Sequence, residues 1–189
     1  MAHGAPAPTR YTSEQYFGLA ERGVLRPDDR VELLEGVVVA MAPHTPRHAS
    51  AIRRIDGALR KAAGERAVVS IQLPYLAGPH SVPVPDVAVL PGEAADYDTV
   101  HPASALLLVE VADSSLAQDR LTKAGIYAAA GVPEYWIVNL ADDVVEVLRA
   151  PDVAGRRYAE QRVAGRGERI AMAAMDDTVV AVDDLLPGR

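Results

Sequence analysis

The sequence predicts a mixed α/β (α+β) domain: a mixed central sheet flanked by helices, with an N-terminal helix and a β-hairpin ahead of it. Three segments carry this expectation. Residues 103–111 are apolar apart from Ser104 and Glu110, which is the length and composition of a strand buried on both faces. Residues 47–63 place Ile52, Ile55, Leu59 and Ala62 at intervals of three and four, one stripe of an amphipathic helix. Residues 115–131 open on Ser115-Leu116-Ala117-Gln118, a capping-box pattern, and close on Gly131 followed by Pro133, a left-handed stop and a breaker.

The remaining elements follow in chain order. Thr12-Ser13-Glu14-Gln15 has the pattern of a second capping box and opens a short helix ending near Gly23. Residues 31–34 and 37–41 flank Glu35-Gly36 and read as a hairpin. Gly64 ends the first long helix, and strands are expected at 67–73 and 82–90 across a Pro/Gly loop. Strands at 134–140 and 144–148 are joined by an Asp-containing turn. Residues 157–163 and 178–182 read as edge strands, and the edges near 144–148 and the C-terminus offer surfaces for a homodimer. Residues 1–10, rich in Ala, Pro and Gly, read as a disordered tail, and residues 11–189 as a single domain.

Composition narrows the chemistry. The 189-residue chain is 49% hydrophobic, enough to bury one sizeable core. It has no cysteine, so neither a disulfide framework nor a thiolate metal site is available, and any metal must be held by oxygen or imidazole. No stretch is apolar for the roughly 18 residues of a membrane span, and the start lacks the pattern of a signal peptide; a cytoplasmic protein without a membrane partner is expected. The 26 acidic against 19 basic residues give a net charge of -7, which opposes non-specific binding to a polyanion. Arginines nonetheless cluster at Arg47, Arg53, Arg54 and Arg60 with Lys61, and at Arg156, Arg157, Arg162, Arg166 and Arg169. Each cluster reads equally as a local basic face or as solvated surface charge.

Several residues could do chemistry. Glu110 follows Leu106-Leu107-Leu108-Val109, so its carboxylate belongs at or near the end of a core strand, where an uncompensated charge costs several kcal/mol. A strand emerging into solvent, a pairing arginine and a functional site all answer that demand. Asp86, after Pro85, opens the strand Val87-Ala88-Val89-Leu90; a Pro-Asp pair is also an ordinary loop-to-strand junction. Asp119, Lys123 and Tyr127 are four apart and share one helical face, beside a stripe of Ala117, Leu121, Ala124 and Ala128 suited to pack on the sheet. A surface Asp119–Lys123 ion pair, worth only about 0.2–0.5 kcal/mol, is the plain alternative. His48 lies one turn before Ile52 on the apolar stripe, as a hydrogen-bonded core residue or as a ligand or base. The other histidines lie in the tail (His3) or in Pro-rich loops (His44, His80, His101).

Taken together, Val31-Glu32-Leu33-Leu34-Glu35-Gly36, Pro46-Arg47-His48, Pro85-Asp86-Val87-Ala88-Val89, Leu107-Leu108-Val109-Glu110-Val111, Asp119 to Lys123 and Tyr127 to Asn139 resemble the Uma-two family, a restriction-endonuclease-like group of the PD-(D/E)XK nuclease superfamily. The resemblance covers about residues 11–148. It implies a restriction-endonuclease-like core and a divalent-metal-dependent endonuclease acting on the phosphodiester bonds of DNA. By the same resemblance Asp86, Glu110 and the carbonyl of Val111 hold Mg2+ or Mn2+, which suits hard oxygen ligands. The superfamily's lysine position, two residues after the Glu, is Ala112 here, and the resemblance implies that Lys123 has taken over that role from the following helix. It places His48 in the catalytic set as a phosphate or water contact, and Glu32, Gln72, Asp119 and Tyr127 at the periphery, with Asp113 or Asp119 holding Lys123. A fold retained without turnover, binding nucleic acid or a protein partner, is the competing reading, and a hydrolase of small phosphoesters a third.

Overall fold

The computed structural model describes residues 10–26 and 28–188; the tail expected at residues 1–10 lies, apart from Arg10, outside the described residues. Helix α1 (Ser13–Glu21) opens on Thr12, whose hydroxyl accepts from the Gln15 N–H while the Gln15 side chain returns to the Thr12 N–H, the reciprocal cap anticipated from the sequence. Strands β1 (Val31–Leu34) and β2 (Val37–Ala40) form an antiparallel hairpin. Helix α2 (Pro46–Ala63) starts on the Thr45 cap with Pro46 in its first turn and stops at Gly64, whose φ of 58° is left-handed.

The centre is a six-stranded mixed sheet in the order β3-β4-β5-β6-β7-β8. Its strands are β3 (Val68–Ile71), β4 (Val87–Leu90), β5 (Leu107–Ala112), β6 (Glu134–Asn139), β7 (Val144–Asp152) and β8 (Arg157–Gly165). β5 and β6 run parallel and every other pair antiparallel. A parallel pair requires a crossover, and here it is helical: α3 (Leu116–Gln118), one π-helical turn (Asp119–Lys123) and α4 (Ala124–Ala129). Strand alternation splits the core. Leu107, Val109 and Val111 pack with Ile55 and Leu59 of α2, whereas Leu108 and Ala112 pack with Ile126 and Tyr127 of α4. β9 (Arg169–Ala171) and β10 (Val179–Ala181) make a separate ribbon followed by α5 (Val182–Leu185), which contributes Val182 and Leu185 to the α2 side of the core. No helix among the described residues is long and apolar enough to cross a membrane.

Several expectations are corrected. The strand expected at 82–90 is regular only from Val87; Val82 instead makes an isolated bridge to Leu33, tying the hairpin to the sheet. The strand expected at 144–148 is interior, because the longer β8 covers it and becomes the edge. The 178–182 segment pairs with β9 rather than with the main sheet. Ser115 makes no capping bond; its hydroxyl donates to Asp119 Oδ2 at 2.6 Å. Leu121, placed by a regular α-period on the packing stripe, is 78% exposed. The π turn is the reason: the Ala124 N–H reaches the Asp119 carbonyl five residues back, and the wider turn swings Leu121 outward while Asp119 and Lys123 both turn inward.

The second arginine cluster is largely neutralised by neighbouring acids and the first only in part. Arg156 pairs with Glu35, Arg157 with Asp152, Arg162 with Glu168, and Arg166 with Asp143 and Asp183. In the first cluster Arg47 pairs with Asp143 and Arg60 with Asp56, while Arg53, Arg54 and Lys61 are exposed without an ion pair among the described residues.

These packing assignments predict unequal sensitivity to truncation in urea unfolding. Ile55→Ala, at a fully buried position, should cost about 2–5 kcal/mol. Leu121→Ala should change stability by less than about 0.5 kcal/mol.

Candidate functional site

The register of the sheet assembles the site. β4 pairs with β5 so that Val87 faces Val109, and one step further along that register Asp86 stands opposite Glu110. β3 pairs Ile71 with Val87, so the same step sets Gln72 beside Asp86, and the Gln72 N–H donates to the Asp86 carbonyl at 3.2 Å. Gln72 adopts a left-handed φ of 49°, a conformation costly for a residue with a Cβ. It is repaid by the side chain, whose Nε2 donates to Asp86 Oδ1 at 2.9 Å. The row Gln72, Asp86, Glu110 thus crosses three neighbouring strands.

Each acid is held by several donors. Asp86 Oδ2 accepts the Val111 N–H at 2.9 Å and lies 3.3 Å from His48 Nε2. Burial pushes the Asp86 carboxyl up, but His48, the Val111 N–H and Gln72 together outweigh it and hold the group below its ordinary range. Glu110 lies inside β5 with Val111 and Ala112 beyond it, not at a solvent-facing end. Its Oε1 accepts from Lys123 Nζ at 2.9 Å and from the Tyr127 hydroxyl at 2.7 Å. Burial nevertheless drives the Glu110 carboxyl well above its ordinary range; Lys123 opposes this, and Asp86, Asp119 and Glu32 reinforce it.

Lys123 is buried, not a surface partner. Its ammonium also lies 3.2 Å from Glu32 Oε2, which accepts the Val84 N–H at 3.1 Å. Burial lowers the Lys123 pKa, but Glu110, Glu32 and Asp119 more than reverse that and keep it protonated. Asp119, capped by Ser115, is pushed up to about 6, chiefly by burial. Glu32, Asp86, Glu110, Asp119 and Lys123 are all at most 5% exposed. Four buried carboxylates therefore share the cleft with one buried ammonium, oxygen donors of the kind a hard cation takes, although no three of them bring ligand atoms within 4.8 Å of one another.

These groups line a cleft of about 200 Å³ with Arg30, His44, His48, Val111, Ser115 and Gln118. A larger hollow of about 710 Å³ near α1 has Glu14 as its sole ionisable lining residue, so the chemistry concentrates in the smaller one. Asp86, Glu110, Lys123, His48, Val111, Glu32 and Asp119 all border the cleft. Gln72 and Tyr127 reach it through their hydrogen bonds to Asp86 and Glu110. Asp113 stands apart from the ammonium and accepts from the Thr45 hydroxyl at 2.7 Å.

Sequence reasoning passed over Arg30, His44 and Ser115. His44 stacks on His48 with ring centroids 4.4 Å apart. Arg30 Nη2 and Gln72 Nε2 approach its Nε2 at 2.7 and 2.8 Å. Burial, then His48 and Arg30, hold its pKa below the ordinary histidine value. The spacing of four between His44 and His48, spanning the helix start, was the available signal. Arg30 carried none, because it reaches the cleft only through the hairpin's placement.

Comparison with known proteins places this geometry in context. A crystal structure described as that of "a putative nuclease belonging to DUF820" from Anabaena variabilis ATCC 29413 matches with a TM-score of 0.72 at 17% identity, covering 92% of this chain and 96% of that one. At that identity the likeness is one of fold, a mixed sheet with flanking helices. No curated protein matches the chain. The profile described as "Uma2: Putative restriction endonuclease" matches residues 13–182, which include both strands of the acid pair and the helix of Lys123. The chain belongs to the Uma2 family.

Proposed function

We propose that the protein is a divalent-metal-dependent endonuclease that hydrolyses phosphodiester bonds of DNA. The observation that carries the reading is the cleft in which Asp86 and Glu110 stand opposite each other across β4 and β5, with the Lys123 ammonium 2.9 Å from Glu110. The excess of buried carboxylate over ammonium fits a resident cation. Asp86, Glu110 and the Val111 carbonyl would hold Mg2+ or Mn2+. Such an ion supplies Lewis-acid polarisation of a phosphate and acidifies water.

The chain's own groups divide the remaining work. An ammonium carries three donors, and the Glu110 and Glu32 contacts of Lys123 use two. The third is available to orient the attacking water or to meet charge on the five-coordinate phosphorus. Because Lys123 stays protonated, it acts as a fixed positive charge and not as a base. Tyr127 and Gln72 fix the carboxylates of Glu110 and Asp86, Asp119 steadies the ammonium from behind, and His48 contacts phosphate or water. Water attacks phosphorus as the bond to the leaving sugar oxygen breaks, and the proton the water loses passes through solvent to that oxygen.

One observation favours a second reading, a nuclease fold that binds nucleic acid or a protein without turnover. The net charge is -7, and four of the five arginines of the second cluster are spent on ion pairs within the chain.

Cleavage of plasmid, linear and single-stranded DNA and of RNA with Mg2+ or Mn2+ separates the two. Metal-dependent cleavage of DNA, reduced at least about 100-fold in Asp86→Ala and Lys123→Ala, is the expected result. No cleavage above the variants' background with either ion would leave only the binding reading. Lys123→Met should also destabilise the fold by about 3–5 kcal/mol, because Glu110 and Glu32 lose their counter-charge. Adding Glu110→Gln should restore part of that loss in urea unfolding.

A further inference from the structure

The face of Asp86 turned towards helix α2 carries a group the reading above does not use. One donor atom each from His44, His48 and Asp86 lies within 4.8 Å of the other two, the sole such set of three histidine or acidic residues among the described residues. Glu110 is not part of this set. Two further observations point to a ligand. His48 meets Asp86 through Nε2, while its Nδ1 is buried with no hydrogen-bond partner, so no bond on the far nitrogen fixes the tautomer and Nε2 can present a lone pair beside Asp86. An arginine can only donate, so the 2.7 Å contact with Arg30 Nη2 means that His44 Nε2 is the unprotonated nitrogen, its lone pair turned to Arg30 on the cleft wall. The Gln72 amide nitrogen stands between this nitrogen (2.8 Å) and Asp86 Oδ1 (2.9 Å). It occupies the kind of place, between two lone pairs, that a cation takes.

We propose that His44, His48 and Asp86 form a binding site for a first-row transition ion of the zinc class, distinct from the oxygen-only position next to Glu110. Imidazole nitrogen selects transition ions over magnesium, which prefers oxygen and gives up its water reluctantly. Ligand atoms around a tetrahedral zinc ion lie about 3.4 Å apart, given bonds of about 2.1 Å. The three donors therefore close in only if the stacked rings of His44 and His48, 17° from parallel, unstack so that both planes meet at the ion, and if Arg30 and Gln72 withdraw from His44 Nε2. Asp86 serves both positions. The inference rests on the proposed function only for the setting of Asp86, so zinc binding without DNA cleavage leaves it standing, and cleavage with magnesium alone does not establish it.

The test uses untagged, chelator-stripped protein, with Zn2+, Mn2+ and Mg2+ titrated by calorimetry and by thermal melting. Zinc should bind at about one ion per chain and raise Tm, with magnesium at least about tenfold weaker. His44→Ala and His48→Ala should each weaken zinc at least about tenfold, while Glu110→Gln retains it. Equal binding of magnesium and zinc, unchanged in both histidine variants, would overturn the proposal. So would zinc binding that is lost in Glu110→Gln and kept without the histidines.

Discussion

A lysine ammonium at 5% exposure, held 2.9 Å from Glu110 and 3.2 Å from Glu32, is the contact on which the arrangement of the site depends. Each of these charges would cost several kcal/mol to bury alone. They are tolerated because three separate parts of the chain meet at one point: Glu32 from the hairpin, Glu110 from the central strand, and Lys123 from the crossover helix. The hairpin is docked by the bridge between Leu33 and Val82, the neighbour of Glu32 thereby fixing where its carboxylate falls. The helix brings Lys123 inward through the π turn. Asp119 and Lys123, four residues apart, share the inward face, and the wider turn carries Leu121 away from the packing stripe.

The second constraint is the register of β4 against β5. Side chains on a strand alternate, so a slip of one residue would move Asp86 out of line with Glu110 and reverse the faces presented by the whole strand. The neighbours that hold the register are apolar: Val87 and Val89 of β4, and Leu107 and Val109 of β5, packed beneath α2. Core packing and site geometry are therefore one specification. The same α2 that covers this face carries His48 to Asp86 from its first turn, and the segment before it carries His44. Asp86 becomes the junction of an acid side and an imidazole side, and the donors around it keep its carboxylate ionised despite burial.

Much of this was legible beforehand, and the failures have a common cause. Ile52, Ile55 and Leu59 reported their helix because periodic burial is a local pattern, and residues 107–112 reported a doubly buried strand by composition. The Gly64 and Gly131 stops and the Thr12 cap are likewise local chemistry. Ser115 had the pattern of a cap but gave its hydroxyl to Asp119, because that buried carboxylate has few other donors. His44 lies in a loop by sequence, yet it stacks on His48 because the helix start folds the loop back over it. Residues 157–163 read as an edge strand and β8 is one, but that it lies outside 144–148 is set by pairing across the sheet and not by a local pattern.

The sequence by itself determined the mixed α/β class, the Thr12-capped first helix and the core strand, since these follow from periodicity and turn chemistry, and it was the family resemblance that singled out the two acids and the lysine. Tertiary structure decided that Lys123 meets both Glu110 and Glu32, that Gln72 and Asp86 stand in line with Glu110, and that two histidines four residues apart converge on Asp86. The physical reason is that pairing between buried polar groups depends on strand register and helix rotation, and in this chain a single π turn and a single strand pairing set both.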